Sequence, residues 1–446
     1  MLRFSSIVDI VESAIFDIGR IWENEKEIEK YRNRMFRKIF EYSKRIPLYR
    51  EKYRDIPGVR TIKDIRKLPL VSKGEIKRGF PDDIIDNRKR CDLVLMSTSG
   101  STGKPTRIYR DLASIIRGYI LSLRVFKAHG INYRKERIMV IGDFAVENSY
   151  DYKSINLLDR IGVTKLYRNF IFVPFDKDIG DMVEIFRKFK PTAIFGYPVV
   201  LAEMAREAMK KGLDLSEVKF VGSSGYVLDN YTRNFLEDAY GVKVVDVYGS
   251  IEIDTAMFQC KEGFYHINSD LIYLEILDSY GEPVSPGESG KVVATRLYGR
   301  DTPIIRYSGL EDIVTTTDEK CNCGINTEVV RRIEGRAADA IVLPDGRVIS
   351  PFVATTLIVN IMRELRSEDL RQFQIVQRSR NDLSIKLVLD EECKNHEEIL
   401  RKTREVFSRE LNLDVDVKIV DKVDNYGREL PPPVVSEVWK KTRYKQ

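Results

Sequence analysis

The sequence predicts an α/β protein with a large multi-layer α/β N-terminal domain and a small α+β C-terminal domain, and three observations carry that prediction. From about residue 90 to 300, apolar runs rich in β-forming residues alternate with amphipathic helical stretches, the pattern of a layered α/β domain. Past residue 335 the texture changes to a hairpin, a charged helix and a further strand, a compact β-β-α-β unit. The 446 residues accommodate one large and one small domain, at roughly 150 residues for an average one.

The elements follow in order. At the N-terminus Ile7, Ile10, Val11, Ala14, Ile15, Ile18 and Trp22 fall at helical spacing and predict a packing helix. Asp9, Glu12 and Asp17 interrupt what would otherwise be a signal-peptide core, so a cytoplasmic location is expected. PTAIFGYP (191 to 198) reads as strand and turn, VLAEMAREAMKKG as a helix stopped by Gly212, and VKFVGSSG as strand. NYTRNFLEDAYG then reads as helix and VKVVDVYGS as strand. These strands end in Gly, Ser or Tyr, and in open α/β sheets the ligand crevice lies outside the carboxyl ends of strands. In the C-terminal part FQIVQRS and LSIKLVLD flank Arg380-Asn381-Asp382 as a hairpin, before a charged helix near 394 to 410 and the strand VDVKIV. A boundary near EGRAADA (334 to 340) divides the chain into 1–335 and 336–446.

Composition narrows the function classes. Hydrophobic residues at 43%, with 22 Tyr, 20 Phe, 27 Gly and 16 Pro, exclude a collagen-like or disordered chain. The 74 Lys and Arg against 68 Asp and Glu leave a net charge of +6 with both signs interspersed, so no nucleic-acid surface is expected. A small anionic ligand is compatible with that balance. No run of apolar residues is long enough to span a bilayer.

Chemistry concentrates first in STSGSTGKPT, residues 97 to 106, directly after the apolar run Leu93-Val94-Leu95-Met96. A Walker A loop needs four residues between its first Gly and the Gly-Lys pair, and a Ser or Thr after the Lys. Here two residues separate Gly100 from Gly103, and Pro105 follows Lys104, so that reading fails. Ser97, Thr98, Ser99, Gly100, Ser101, Thr102, Gly103 and Lys104 nonetheless offer backbone N–H groups, hydroxyls and one ammonium to phosphate oxygens.

STSGSTGKP resembles the phosphate loop of the adenylate-forming superfamily, which includes acyl-CoA and aryl-CoA synthetases. Further motifs follow in the family's order. Tyr248-Gly249-Ser250-Ile251-Glu252 resembles YGxxE, Arg306-Tyr307 with a following acid resembles RYxxGD, and Gly335-Arg336 with Asp339 resembles the hinge motif. RIPLYREKY (45 to 53) and LPLVSK (68 to 73) resemble the N-terminal signature of the phenylacetate-CoA ligase branch.

The resemblance implies an AMP-forming acid-CoA ligase with a mobile C-terminal lid, using ATP, Mg2+ and CoA on a small carboxylic acid, aromatic by default, and leaves room for a homodimer. It implies that Tyr248 stacks near adenine beside Gly249 and Ser250, that Glu252 holds magnesium, and that Ser224 and Gly225 lie on the adenine side. A hard cation prefers carboxylate oxygen, which suits Glu252. Tyr226 stands where the family often has Glu, and Ala338 where its hinge has Asp or Lys. RYSGLED carries one extra residue, so the ribose ligand is Asp312, which keeps the following Ile-Val register, or Glu311, which keeps the count from Arg306. Arg336 is a further nucleotide contact by resemblance. Lys440-Lys441-Thr442-Arg443 resembles the C-terminal GKxxR ending with Trp439 in place of Gly, and spacing to Arg443 selects Lys440 as the lysine that visits the α-phosphate. Related chemistries without CoA, adenylylating a deazaflavin cofactor or acting in polysaccharide loci, remain open, as does a catalytically degenerate nucleotide binder.

The five Cys are odd in number, and disulfides are not expected. Cys260 and His266 in CKEGFYH, with Cys321 and Cys323 in a C-x-C-G turn, supply the Cys3His set of a closed structural zinc site. Buried free thiols are the alternative.

Overall fold

The computed structural model describes residues 16–97, 105–144, 153, 156, 168–367, 369–428 and 430–438. The first half of the expected N-terminal helix, Thr98 to Lys104 of the glycine-rich segment, and Lys440 lie outside the described residues. The chain forms two compact units: one takes the chain up to Gly225 with Leu236–Leu310 and Thr315–Arg332, the other Tyr226–Phe235, Glu311–Val314 and the chain from Ile333 onward.

In the large unit, β1 (Leu93–Ser97) and β2 (Arg107–Asp111) form an antiparallel pair that brackets the glycine-rich segment. The main sheet holds eight strands: β3 (Ile138–Gly142), β4 (Phe170–Pro174), β5 (Ala193–Gly196), β6 (Phe220–Ser224), β7 (Val244–Ser250), β8 (Asp254–Gln259), β9 (Tyr265–Ile267), then, after β10 (Ile272–Leu277), β11 (Ser289–Arg296) and β12 (Asp312–Thr315), β13 (Val329–Val330). Their order is β13-β9-β8-β7-β6-β5-β3-β4, parallel from β7 to β4 and antiparallel from β7 to β13. The parallel strands are short apolar runs because helices such as Leu112–Ala128 and Pro198–Lys210 cover them, as βαβ crossovers require. The helix Pro198–Lys210 starts with Pro at its first position, and the chain turns out of it at Gly212 with φ of 68°, where a residue without Cβ is favoured.

Among the strong interactions of the large unit are buried guanidinium groups. Asp17, read from sequence as a polar interruption, is fully buried and accepts the Tyr31 hydroxyl at 2.8 Å and Arg117 Nε at 2.8 Å. Arg124 meets Asp270 through two bonds of 2.8 and 2.6 Å and also donates to Asn268 at 2.8 Å. Arg306, with φ of 46°, pairs with Glu275 through bonds of 2.9 and 2.8 Å. Its other terminal nitrogen donates to the carbonyl of Leu68 at 2.6 Å. The LPLVSK signature is thereby fastened to the RY motif, and Val71 N–H donates to the Arg306 carbonyl at 2.9 Å.

In the small unit, β14 (Arg332–Arg336), β15 (Ile341–Val342) and β16 (Val348–Ile349) precede the helix Pro351–Leu365. β17 (Leu370–Ser379) and β18 (Asp382–Leu389) make the expected hairpin, with Asp382 already in the strand and Arg380-Asn381 as the turn. The helix His396–Leu411 and β19 (Val415–Ile419) follow, and the sheet order is β19-β18-β17-β20. The last strand, β20 (Val434–Ser436), follows three prolines and was not anticipated. Proline cannot donate to a ladder but its carbonyl still accepts: Ile375 N–H donates to Pro433 at 2.9 Å and Gln374 to Pro432 at 3.0 Å. No described helix is long and apolar enough to cross a membrane.

Replacing Arg124 by Met leaves Asp270 buried without its cation. Unfolding free energy should fall by about 3–5 kcal/mol, read by chemical denaturation, whereas an unchanged midpoint would show that the pair contributes nothing.

Candidate active site

In the large unit the candidate residues collect at strand ends. β6 finishes with Ser223, fully buried, and Ser224, half-buried, before Gly225. Gly225 has φ of 82°, and a Cβ there would lie 2.5 Å from the ring of Tyr197, which follows β5. Phe175 meets Tyr197 edge-on with centroids 5.4 Å apart. An aromatic wall therefore stands at the carboxyl ends of β4 and β5, beside the segment on which Ser224 and Gly225 lie.

β7 ends in Tyr248, Gly249 and Ser250, all half-buried, and turns directly into β8. A Cβ on Gly249 would sit 2.2 Å from the Asp254 carbonyl oxygen, so only glycine permits this close approach of the two strands. The register shifts between Tyr248 and Gly249, which re-aims the turn. Glu252 sits within that turn, 4% exposed, with its N–H donating to Ser250 Oγ at 3.3 Å. The Tyr307 hydroxyl faces Glu252 Oε1 at 3.4 Å. Tyr307 is fully buried, and its ring forbids any side chain at Gly309, where a Cβ would be 2.3 Å away.

Behind this turn lies a charge network that sequence reasoning missed: Arg110 and Arg296 with Asp254 and Asp301, all buried. Burial raises the Asp301 carboxyl to about 6, with Arg296 opposing that rise. Isolated charges in RIYRD and YGRD give no periodic or motif signal, so nothing in the sequence pointed to them.

The small unit contains the other nucleotide-side candidates. In RYSGLED, Glu311 has a φ of 65° and Asp312 opens β12. The Glu311 carbonyl accepts Ala337 N–H at 2.8 Å, and Asp312 Oδ1 lies 4.0 Å from Arg336 Nε. Gly335 has φ of 99° with Pro351 packed 3.1 Å from where a Cβ would stand. Asp339, in the hinge-like motif, holds Arg428 through a bidentate pair of 2.9 and 2.5 Å. Tyr226, at the position where Glu was expected by resemblance, accepts the Leu430 N–H on its hydroxyl at 3.0 Å.

A separate cluster unites Cys260, His266, Cys321 and Cys323, whose ligand atoms all lie within 4.8 Å of one another. Cys260 Sγ is 3.5 Å from Cys321 Sγ, and Cys323 Sγ is 3.2 Å from His266 Nε2. Burial pushes the Cys323 thiol up to about 12 and raises Cys260, while it lowers His266 to about 4 and so keeps the imidazole neutral. His266 Nδ1 faces Thr327 Oγ1 at 3.4 Å, leaving Nε2 turned into the cluster. The donor set and its closed shape fit a tetrahedral zinc ion.

Residues 63–296 match the AMP-binding enzyme family, and residues 342–427 match the CapK C-terminal domain. The chain belongs to the AMP-binding enzyme family. This AMP-binding enzyme is 22% identical to Protein CapK of Staphylococcus aureus over 408 residues, 89% of this chain and 86% of that protein. It is 24% identical to the phenylacetate-coenzyme A ligase of Thermus thermophilus over 337 residues, covering 70% of this chain and 71% of the relative. In fold it resembles 2-hydroxyisobutyryl-CoA ligase in complex with R3-HIB-AMP, with a TM-score of 0.74 at 18% identity, covering 95% and 92% of the two chains. This AMP-binding enzyme thus has phenylacetate-CoA ligases among its homologues and shares its α/β architecture with a CoA ligase of the adenylate-forming superfamily.

The Gly249 contact makes a direct prediction. Gly249→Ala forces β7 and β8 apart and should lower the thermal midpoint, on the order of 1–3 kcal/mol of stability. An unaltered thermal unfolding curve would mean that the strands separate freely at this turn.

Proposed function

We propose that the protein activates a carboxylic acid as its acyl-adenylate, with ATP giving up pyrophosphate, and then passes the acyl group to the thiol of coenzyme A. The observation that carries this reading is Glu252, a carboxylate withdrawn from water on the turn after β7, in a member of the AMP-binding enzyme family. Its chemistry suits Mg2+, which when bound neutralises phosphate charge. On this reading Ser97 to Gly103 and Lys104 cradle the phosphates, Tyr248 stacks on adenine with Gly249 and Ser250 beside it, and Ser224 and Gly225 flank the base. Asp312 takes the ribose hydroxyls because one carboxylate accepts from both, and Arg336 steadies Asp312. Residues 336–446 act as the mobile lid on the 1–335 domain, bringing Lys440 to the α-phosphate for the first step and withdrawing it for the second. An aromatic or arylacetic acid suits the wall of Phe175 and Tyr197. The reaction belongs in the cytoplasm, where ATP and coenzyme A are supplied.

A second reading keeps the adenylation and replaces coenzyme A by another acceptor. It is favoured by the CapK-type C-terminal domain and by a CapK relative that spans 89% of this chain. In either case the cluster of Cys260, His266, Cys321 and Cys323 holds a structural Zn2+ that staples the β8–β9 hairpin to the 321–324 turn.

ATP-pyrophosphate exchange across aryl, fatty and small carboxylic acids, with Mg2+ and without coenzyme A, tests the first step. Exchange with one acid class supports adenylation, and silence across the panel rejects it. Thioester formation on adding coenzyme A then separates the two acceptor readings. Lys440→Ala should suppress adenylate formation yet leave thioester synthesis from supplied adenylate nearly intact; equal loss in both rejects the shuttle. Cys321→Ser should lower zinc content and thermal stability together, and an unchanged metal content would end the zinc assignment.

A further inference from the structure

Glu252 can serve as a metal ligand only if the short turn that presents it is held still, and the turn has few internal restraints. Its own hydrogen bonds, from Glu252 N–H to Ser250 Oγ at 3.3 Å and from Ile253 N–H to the Ser250 carbonyl at 3.2 Å, are both long. What holds it comes from outside. Arg110, fully buried on β2, donates from Nη1 to the Ile251 carbonyl at 2.9 Å and to Asp254 Oδ1 at 3.1 Å. From Nη2 it donates to Asp254 Oδ2 at 2.7 Å and to the Ser114 carbonyl at 3.1 Å, and from Nε to Ser114 Oγ at 3.1 Å. All five N–H groups of the guanidinium are therefore engaged, and two of its partners, Ile251 and Asp254, flank Glu252 on either side. Asp254 itself sits at φ of 54°, a left-handed conformation unusual for a residue with a side chain, and its carboxylate also accepts the Tyr298 hydroxyl.

We propose that Arg110 and Asp254 are positioning residues that lock the Glu252 turn and tie it to the strand leaving the glycine-rich segment. The inference rests on the reading of Glu252 as the magnesium ligand. β2 begins at Arg107, three residues after Lys104, so one guanidinium joins the exit of the phosphate-binding segment to the metal-binding turn. A lysine cannot replace it, because a single ammonium cannot bridge a carbonyl and both oxygens of a carboxylate in one plane.

The test measures ATP binding to the full chain by titration calorimetry, in EDTA and in Mg2+, so that the acid substrate need not be known. The readout is the gain in affinity that Mg2+ confers. Asp254→Asn and Arg110→Lys should leave the affinity in EDTA unchanged and reduce the Mg2+ gain about tenfold, as loss of a supporting partner does in other metal sites. Arg124→Met, which removes a buried ion pair elsewhere, should lower stability yet keep the full gain. Wild-type Mg2+ gain in folded Asp254→Asn and Arg110→Lys overturns the proposal. If both fail to fold, Tyr298→Phe decides, because it removes one hydrogen bond to Asp254: an undiminished gain there overturns the proposal, and a partial loss supports it. Glu252→Gln separates the two levels of the argument. A normal gain in that variant sinks the magnesium assignment and the positioning role with it, whereas loss in Glu252→Gln alone sinks only the positioning role.

Discussion

The large unit depends on guanidinium groups taken out of water and held by carboxylates and carbonyls, most fully at Arg110, whose five N–H groups are all engaged. Arg110, Arg124 and Arg296 are fully buried, and Arg306 nearly so. Moving such a group from water to a protein interior costs several kcal/mol unless carboxylates and carbonyls surround it in the right geometry. Each of these side chains therefore specifies the position of every group around it. Arg124 draws Asp17, Asn268 and Asp270 together, and Arg306 draws Glu275 and Leu68 together. Apolar packing of similar volume could supply comparable stability, but it would tolerate small shifts that a planar fork of donors does not.

That constraint explains why the motifs nearest the chemistry are built from positions with little freedom. Gly249 is pressed against a neighbouring carbonyl, Gly225 lies under an aromatic ring, and Arg306 and Asp254 occupy left-handed backbone. None of these is a comfortable local choice for the chain, and each is held by long-range contacts. The site is thus a product of tertiary structure, with its local sequence supplying the residues and distant residues supplying the geometry.

The division between what the sequence disclosed and what it withheld follows the same line. The parallel strands β5, β6 and β7 were legible because each is an apolar run closed by Gly or Ser, and the Cys and His of the cluster were legible because such residues are rare in this chain. The Arg110–Asp254 pair was not, since its partners are 144 residues apart and no spacing rule links them. β20 was hidden by the prolines before it, which read as a breaker although the Pro433 carbonyl accepts a backbone bond and the Pro432 carbonyl a side-chain amide. The backbone around RYSGLED was not legible either, because the left-handed φ at Glu311 just before β12 leaves no mark in the letters.

The Cys and His cluster has a consequence in polymer terms. Cys260 and Cys321 are 61 residues apart, and the chain between them contains Glu275, Arg296, Tyr298, Asp301, Arg306 and Tyr307. An ion shared by those thiolates would close a ring around the very segment that supports Glu252. Closing a flexible loop of that length costs about 4 kcal/mol of chain entropy, and a cross-link removes that cost from folding by confining the unfolded chain instead. The cluster would thus contribute to the order of the Glu252 region without touching any of its atoms.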